Sequence, residues 1–222
     1  MNGNKALVIF SGGQDSTTCL AWTLDKYPEV ETITFEYGQK HAIEINQSKE
    51  ICAKWNVKQT IVDIKFLDTL VESALISNGD VDEVNPKGLP ASFVPNRNQL
   101  FITLAHAFAQ KIGAETIVTG VCEEDANGYP DTTEDFVNSI EHTSNLGSDS
   151  RITLKAPLIH KLKFETFELA DGLGCLEDVL ELSHTCYNGN RTDRHSYGYG
   201  CNECGACKLR KKGFEDFKSL NK

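Results

Sequence analysis

Two groups of residues have the types and spacing for chemistry. The first is Phe10-Ser11-Gly12-Gly13-Gln14-Asp15-Ser16, set between the apolar run Ala6–Phe10 and the stretch Thr17-Thr18-Cys19-Leu20-Ala21-Trp22. A buried strand, two glycines and a helix start together make a seat for phosphate. Glycine allows a positive φ and close backbone approach, and the free amides of a helix N-terminus attract anions. Ser11, Asp15, Ser16 and Thr17 add hydroxyls and a carboxylate, which suit oxygen-rich ligands and Mg²⁺. The run lacks the Gly-Lys-Ser/Thr ending of a Walker A loop, and it is not Gly-x-Gly-x-x-Gly.

The second group is Cys186, Cys201, Cys204 and Cys207, spaced Cys-x14-Cys-x2-Cys-x2-Cys among turn residues Gly198, Gly200 and Gly205. Short Cys-x2-Cys spacings let one tight turn present two sulfurs to one ion. Four thiolates suit a closed tetrahedral Zn²⁺ site, and an iron–sulfur cluster uses the same number. Structural zinc is the expectation, holding a loop-rich appendage with little core of its own. Cys19, Cys52, Cys122 and Cys175 lie among apolar neighbours and read as inert core thiols.

The elements that must position these groups alternate in period. Ala6–Phe10 reads as a strand, and a helix is expected from Ser16 to Lys26. Residues 31–37 and 60–64 alternate as strands around a helical stretch with Ala42, Ile45, Ser48, Cys52 and Trp55 on one face. Residues 65–96 form a long excursion with little sheet. A helix is expected from Asn98 to Ile112, stopped by Gly113, then a fourth strand at 116–121. After an acidic loop at 123–131 come a helix from Thr133 to Asn145, a fifth strand at 151–156 and an amphipathic stretch from Lys163 to Leu173. This β-α-β order predicts an α/β fold with a parallel sheet. Ligands bind beyond the carboxyl ends of such strands, so the Ser11 turn and the loops after Tyr37 and Val121 should share one crevice.

Composition narrows the classes. Of 222 residues, 40% are hydrophobic and 24% charged, as in a soluble protein with a real core. A formal charge of −10 argues against a main role in neutralising a nucleic-acid backbone, although Lys208 to Lys212 is a local basic run. No apolar stretch nears the roughly 18 residues of a membrane span. The N-terminus offers too short an apolar run for a signal peptide. A cytoplasmic protein with reduced cysteines is expected.

Five stretches together resemble the 7-cyano-7-deazaguanine synthase family of pyrophosphatase-loop ATP enzymes. They are Phe10 to Leu20; Thr34-Phe35-Glu36-Tyr37-Gly38-Gln39; Phe93-Val94-Pro95-Asn96-Arg97-Asn98; Thr119-Gly120-Val121 through Gly128-Tyr129-Pro130-Asp131; and Thr185-Cys186-Tyr187-Asn188-Gly189 with the three later cysteines. The resemblance implies a Rossmann-like adenine-nucleotide alpha-hydrolase fold: a five-stranded parallel sheet with a zinc-binding appendage, divided as residues 1–180 and 181–222. It implies conversion of 7-carboxy-7-deazaguanine, ammonia and ATP to the 7-cyano base through an adenylated carboxylate and an amide, usually by a homodimer. ATP, Mg²⁺ and Zn²⁺ are the implied cofactors, with no direct nucleic-acid partner.

By that resemblance the residues from Phe10 through Ser11, Gly12, Gly13, Gln14, Asp15, Ser16, Thr17, Thr18 and Cys19 to Leu20 hold ATP. Asp15 helps place Mg²⁺, and Arg97 and Lys163 are cations for phosphate or carboxylate. Asp125 and Asp131 would bond the donor edge of a guanine-like base, and Tyr129 would stack on it. The family pattern continues Gly-Tyr-Pro-Asp-Cys-Arg, where this chain has Thr132-Thr133 after Asp131. Loss of a thiol and a cation raises a variant product, the 7-amido base. Two other functions share part of the pattern: a pyrophosphatase-loop enzyme that thiolates tRNA, and a non-enzymatic zinc-bearing interaction protein.

Overall fold

The run Lys5–Ile9 forms β1, and its Ala6, Leu7 and Val8 are fully buried, as expected for a central parallel strand covered on both faces. The computed structural model describes residues 4–38, 43–76, 83–84, 88–124 and 129–220. Around β1 stand β2 (Glu29–Glu36), β3 (Lys58–Asp63), β4 (Thr116–Val118) and β5 (Thr153–Lys155), all parallel in the order β3-β2-β1-β4-β5. Sequence order reverses between β1 and β4, the switch point where open α/β sheets bind ligands.

Alternate β1 side chains enter different cores. Leu7 packs with Ile33, Ile117 and Leu154 against Ile102, Ala105 and Ala109 of α3 (Arg97–Ile112) and Val137 and Ile140 of α4 (Glu134–Ser148). Val8 and Phe10 pack with Cys19 and Leu20 of α1 (Gln14–Lys26) and Ile51 and Cys52 of α2 (Ile43–Lys54). Each such aliphatic side chain contributes about 1.5–3 kcal/mol on burial. Helix α3 stops at Gly113, whose φ of +71° closes the last turn, as its position predicted.

The expected elements form with shifted ends. The fourth strand stops at Val118, freeing Thr119-Gly120-Val121 to line the site. In residues 65–96 the described backbone holds a 3-10 turn, Lys65–Thr69, and one isolated bridge between Val84 and Pro90. The stretch from Lys163 becomes α5 (Lys163–Gly172), followed by the unanticipated α6 (Leu176–Leu182). A short hairpin, β6 (Arg194–His195) with β7 (Gly198–Tyr199), precedes α7 (Gly205–Leu220).

Helix α7 differs from the expected loop-rich appendage. Its Phe214 and Phe217 join Phe167, Val179 and Tyr197 in a third core that ties the C-terminal region to α5 and α6. The basic run also divides: Lys208 and Lys212 are exposed, whereas Arg210 is buried. Cys19, Cys52, Cys122 and Cys175 are buried. No helix among the described residues is long and apolar enough to cross a membrane.

Candidate active site

The turn after β1 closes without room to spare. Thr34 donates to the Phe10 carbonyl at 2.6 Å, and the Phe10 amide donates to Ile33 at 2.9 Å, so the strand end is held where the turn begins. Gly12 has φ +85°, and a Cβ there would lie 2.8 Å from the Glu44 carbonyl oxygen and the Ser48 amide nitrogen. Only glycine lets the start of α2 pack on the turn. From the other side a Cβ on Gly120 would come within 3.0 Å of the Ser16 nitrogen, so the chain after β4 also presses against the first turn of α1. Hydroxyls complete it: Gly13 donates to Ser11 Oγ at 3.2 Å, and Thr17 Oγ1 donates to the Gly13 carbonyl at 2.7 Å.

A cavity of about 300 Å³ opens beside this turn, at the small end of the range for ligand sites. Phe10, Ser11, Gly13, Gln14, Asp15 and Ser16 line it, whereas Thr17, Thr18, Cys19 and Leu20 are buried along α1 away from it. Tyr37 and Thr119-Gly120-Val121 also face the cavity, so the strand ends meet as the topology predicted.

Arg97 and Lys163 line the same cavity. Lys163, the first residue of α5, is buried and reaches Asp15 with Nζ to Oδ2 at 2.9 Å. Asp15 Oδ1 is buried without a hydrogen-bond partner among the described residues. That unpaired carboxylate oxygen fits a single Mg²⁺ contact, since Mg²⁺ takes one or two carboxylates and completes its shell with phosphate and water.

Arg97 stands with Cζ 5.8 Å over the Tyr37 ring. Burial pulls its guanidinium down, but Tyr37, Asp131, Tyr187 and Tyr129 outweigh that and raise it overall. Glu44, facing Arg97, is pushed by burial from 4.5 to about 7. Asp131 is buried and its carboxyl is raised by that burial, against the pull of Arg97. Its Oδ2 accepts from the Asn98 amide at 3.3 Å, and it does not line the cavity. Tyr129 does line it, with its hydroxyl 2.7 Å from Ser92 and 3.3 Å from Tyr187. Asp125 lies outside the described residues.

The C-terminal segment closes the remaining side. The His184 amide donates to the Gly12 carbonyl at 2.9 Å, laying residues 184–187 along the turn. Arg210 anchors that segment from α7: Nε donates to the Tyr197 carbonyl at 2.8 Å, and two further nitrogens donate to the Val179 carbonyl and Thr185 Oγ1. Burial brings its guanidinium down to about 10. The sulfurs of Cys186, Cys201, Cys204 and Cys207 lie within 4.8 Å of one another. The amides of Glu203 and Cys204 donate to Cys201 Sγ at 3.4 and 3.3 Å. A Cβ on Gly200 would lie 2.5 Å from Cys207 Sγ, so the cradle needs glycine there. Four converging sulfurs with amide donors fit a zinc ion.

Residues 5–218 match the family model for queuosine biosynthesis protein QueC. The chain belongs to this family. It is 51% identical to a 7-cyano-7-deazaguanine synthase of Wolinella succinogenes, over 99% of this chain and 96% of the relative. It is 46% identical to one of Helicobacter pylori, over 99% and 98%. These QueC relatives are C–N bond-forming ligases. A solved 4-thiouridine synthetase, in complex with RNA and ATP, shares the fold with TM-score 0.55 and 19% identity. This chain aligns over 99% of its length but spans only 52% of that longer protein.

Within the QueC family the Thr132-Thr133 pair has a local account. Thr133 Oγ1 accepts from the Phe136 amide at 3.2 Å and caps α4, a contact worth about 1 kcal/mol. Thr132 lines the cavity, and its hydroxyl donates to the Tyr129 carbonyl at 2.7 Å. Sequence reasoning passed over Tyr37, Glu44, Tyr187 and Arg210 as site residues, all of which line the cavity. A carboxylate two residues into a helix and an arginine inside a basic run look like surface groups until the chain folds.

Proposed function

We propose that this cavity converts 7-carboxy-7-deazaguanine, ammonia and ATP into 7-cyano-7-deazaguanine. The observation that carries the reading is the meeting of the Ser11–Ser16 turn, Arg97, Lys163 and Tyr129 around one cavity. The turn's backbone amides hold the pyrophosphate as charge develops on it. Bound Mg²⁺ would supply further charge there, held through Asp15.

A carboxylate is a poor electrophile, and joining it to AMP creates a leaving group. Substrate carboxylate oxygen attacks the α-phosphorus and pyrophosphate departs. Arg97, with its planar fork of donors, orients the carboxylate. Lys163 neutralises Asp15 and adds positive charge beside the phosphates. Ammonia then displaces AMP to give the amide. A further ATP adenylates the amide oxygen with release of pyrophosphate; the C–O bond then breaks, AMP carries that oxygen away, and loss of the two N–H protons leaves the nitrile. Tyr129 supplies an aromatic face for the deazaguanine ring. Asp131 supports Arg97 and the start of α3, and Asp125 is a proposed partner for the base edge. Zinc at the four cysteines is structural, and the inward turn of Arg210 weakens the basic run as a nucleic-acid face. The reading includes a cytoplasmic homodimer.

The test incubates purified protein with ATP, ammonium and the carboxylic acid, then measures AMP, pyrophosphate and the base by mass spectrometry. Nitrile as the dominant product, accompanied by AMP, is expected. Amide as the terminal product would show that Thr132-Thr133 stops the reaction halfway. Turnover without AMP would overturn adenylation.

A further inference from the structure

Among the described residues, Asp15, Glu44 and Asp131 are carboxylates that stand close to this chemistry, and their surroundings differ. Asp15 is tied to Lys163 at 2.9 Å. Asp131 accepts from the Asn98 amide and is turned away from the cavity. Glu44 lines the cavity itself. Its backbone is locked against the phosphate turn by the close packing of Gly12 on the Glu44 carbonyl. The side chain is half-buried in the first turn of α2.

A carboxylate lining a cavity for ATP is electrostatically unfavourable for binding the phosphates. It suits a cationic ligand or a proton. The proposed reaction has such a ligand: at neutral pH ammonia is mostly ammonium, which has no lone pair for attack. We propose that Glu44 is the general base that takes a proton from ammonium as its nitrogen attacks the adenylated carboxyl carbon. This role rests on the reaction assigned above.

The balance is as follows. Ammonium gives one proton to a Glu44 carboxylate oxygen, and the freed nitrogen pair forms the C–N bond. The carbonyl π pair moves to oxygen and returns as the C–O bond to phosphate breaks. That bond's pair leaves with AMP, and a second N–H proton passes to solvent. Among the described residues, the charged and titratable groups facing Glu44 are Arg97 from α3 and Tyr37 from the end of β2. Arg97 remains a cation, and burial holds the Tyr37 phenol above its ordinary 10. Neither changes charge where Glu44 does, at about 7, near the optimum for a base working at neutral pH.

Glu44→Gln and Glu44→Asp test the role with two readouts. The first is exchange of labelled pyrophosphate into ATP, driven by the carboxylic acid without ammonium. The second is amide formation with ammonium. In Glu44→Gln, exchange should stay within about 3-fold of the native rate while amide formation falls about 100-fold or more. Glu44→Asp should recover part of the loss. Hydroxylamine, already neutral at pH 7, should react with the Gln variant at close to the native rate, and amidation by that variant should keep rising with the fraction of free ammonia where the native pH–rate profile levels off above about 7. Parallel loss of exchange and amidation in both variants, or unchanged amidation, would overturn the role. Absence of exchange in the native protein would instead overturn the adenylation reading on which it rests.

Discussion

Replacing Gly213 by alanine probes the contact that sets Lys163 against Asp15. Gly213 lies inside α7, where alanine ordinarily gains about 1 kcal/mol over glycine. Here the added methyl carbon would lie 2.7 Å from both Cβ and Cγ of Lys163 and 3.0 Å from its carbonyl carbon. Backbone cannot rotate away as a side-chain tip can, so α5 and α7 must separate. Overpacking of this kind costs about 1–3 kcal/mol, which outweighs the propensity gain and leaves a net loss of about 1 kcal/mol. For a chain of this size that lowers Tm by roughly 2–4 °C. Gly147 in α4 is the control, because a Cβ there meets nothing within 4 Å, and Gly147→Ala should raise Tm slightly. Calorimetry reads both changes. The separation also draws Lys163 from Asp15, so pyrophosphate exchange should fall in Gly213→Ala and not in Gly147→Ala. A Gly213→Ala protein that melts at or above the native temperature with full exchange would refute the reasoning.

Two further outcomes follow from charge and metal. Burial raises Glu44 from 4.5 to about 7, so the folded state holds its proton more tightly than the unfolded chain. Its stability contribution is complete below 4.5 and is lost as pH rises through 7. Glu44→Gln should therefore gain Tm over the native protein across that window and match its pH dependence below it; a gap independent of pH would mean that Glu44 does not titrate there. Stripping the metal proposed at the four cysteines should lower Tm by at least roughly 8 °C, taking about 4 kcal/mol for a ligand present far above its Kd. It should also open residues 186–204 to protease and weaken pyrophosphate exchange, since Cys207 and Arg210 share α7 and Arg210 holds the segment lying along the phosphate turn. A chelated protein with unchanged exchange would separate the two sites.

The sequence by itself determined what depends on near neighbours. The strand–turn–helix at Ser11 to Ser16 was legible because two glycines and a helix start suffice to make such a turn. The cysteine spacing announced a metal cradle because a tight turn needs only three or four residues. Alternating periods marked the parallel α/β class, and Gly113 marked the end of α3. Only the tertiary structure decided which carboxylates and cations face one another. Glu44 became a site residue because Gly12 admits the start of α2 against the turn, and Arg210 became an interior anchor because α7 packs on α5. The order β3-β2-β1-β4-β5 placed the switch point beside the Ser11–Ser16 turn. The physical reason is range: turn chemistry is set within a few residues, whereas burial and charge pairing depend on chain segments that meet only when the core closes.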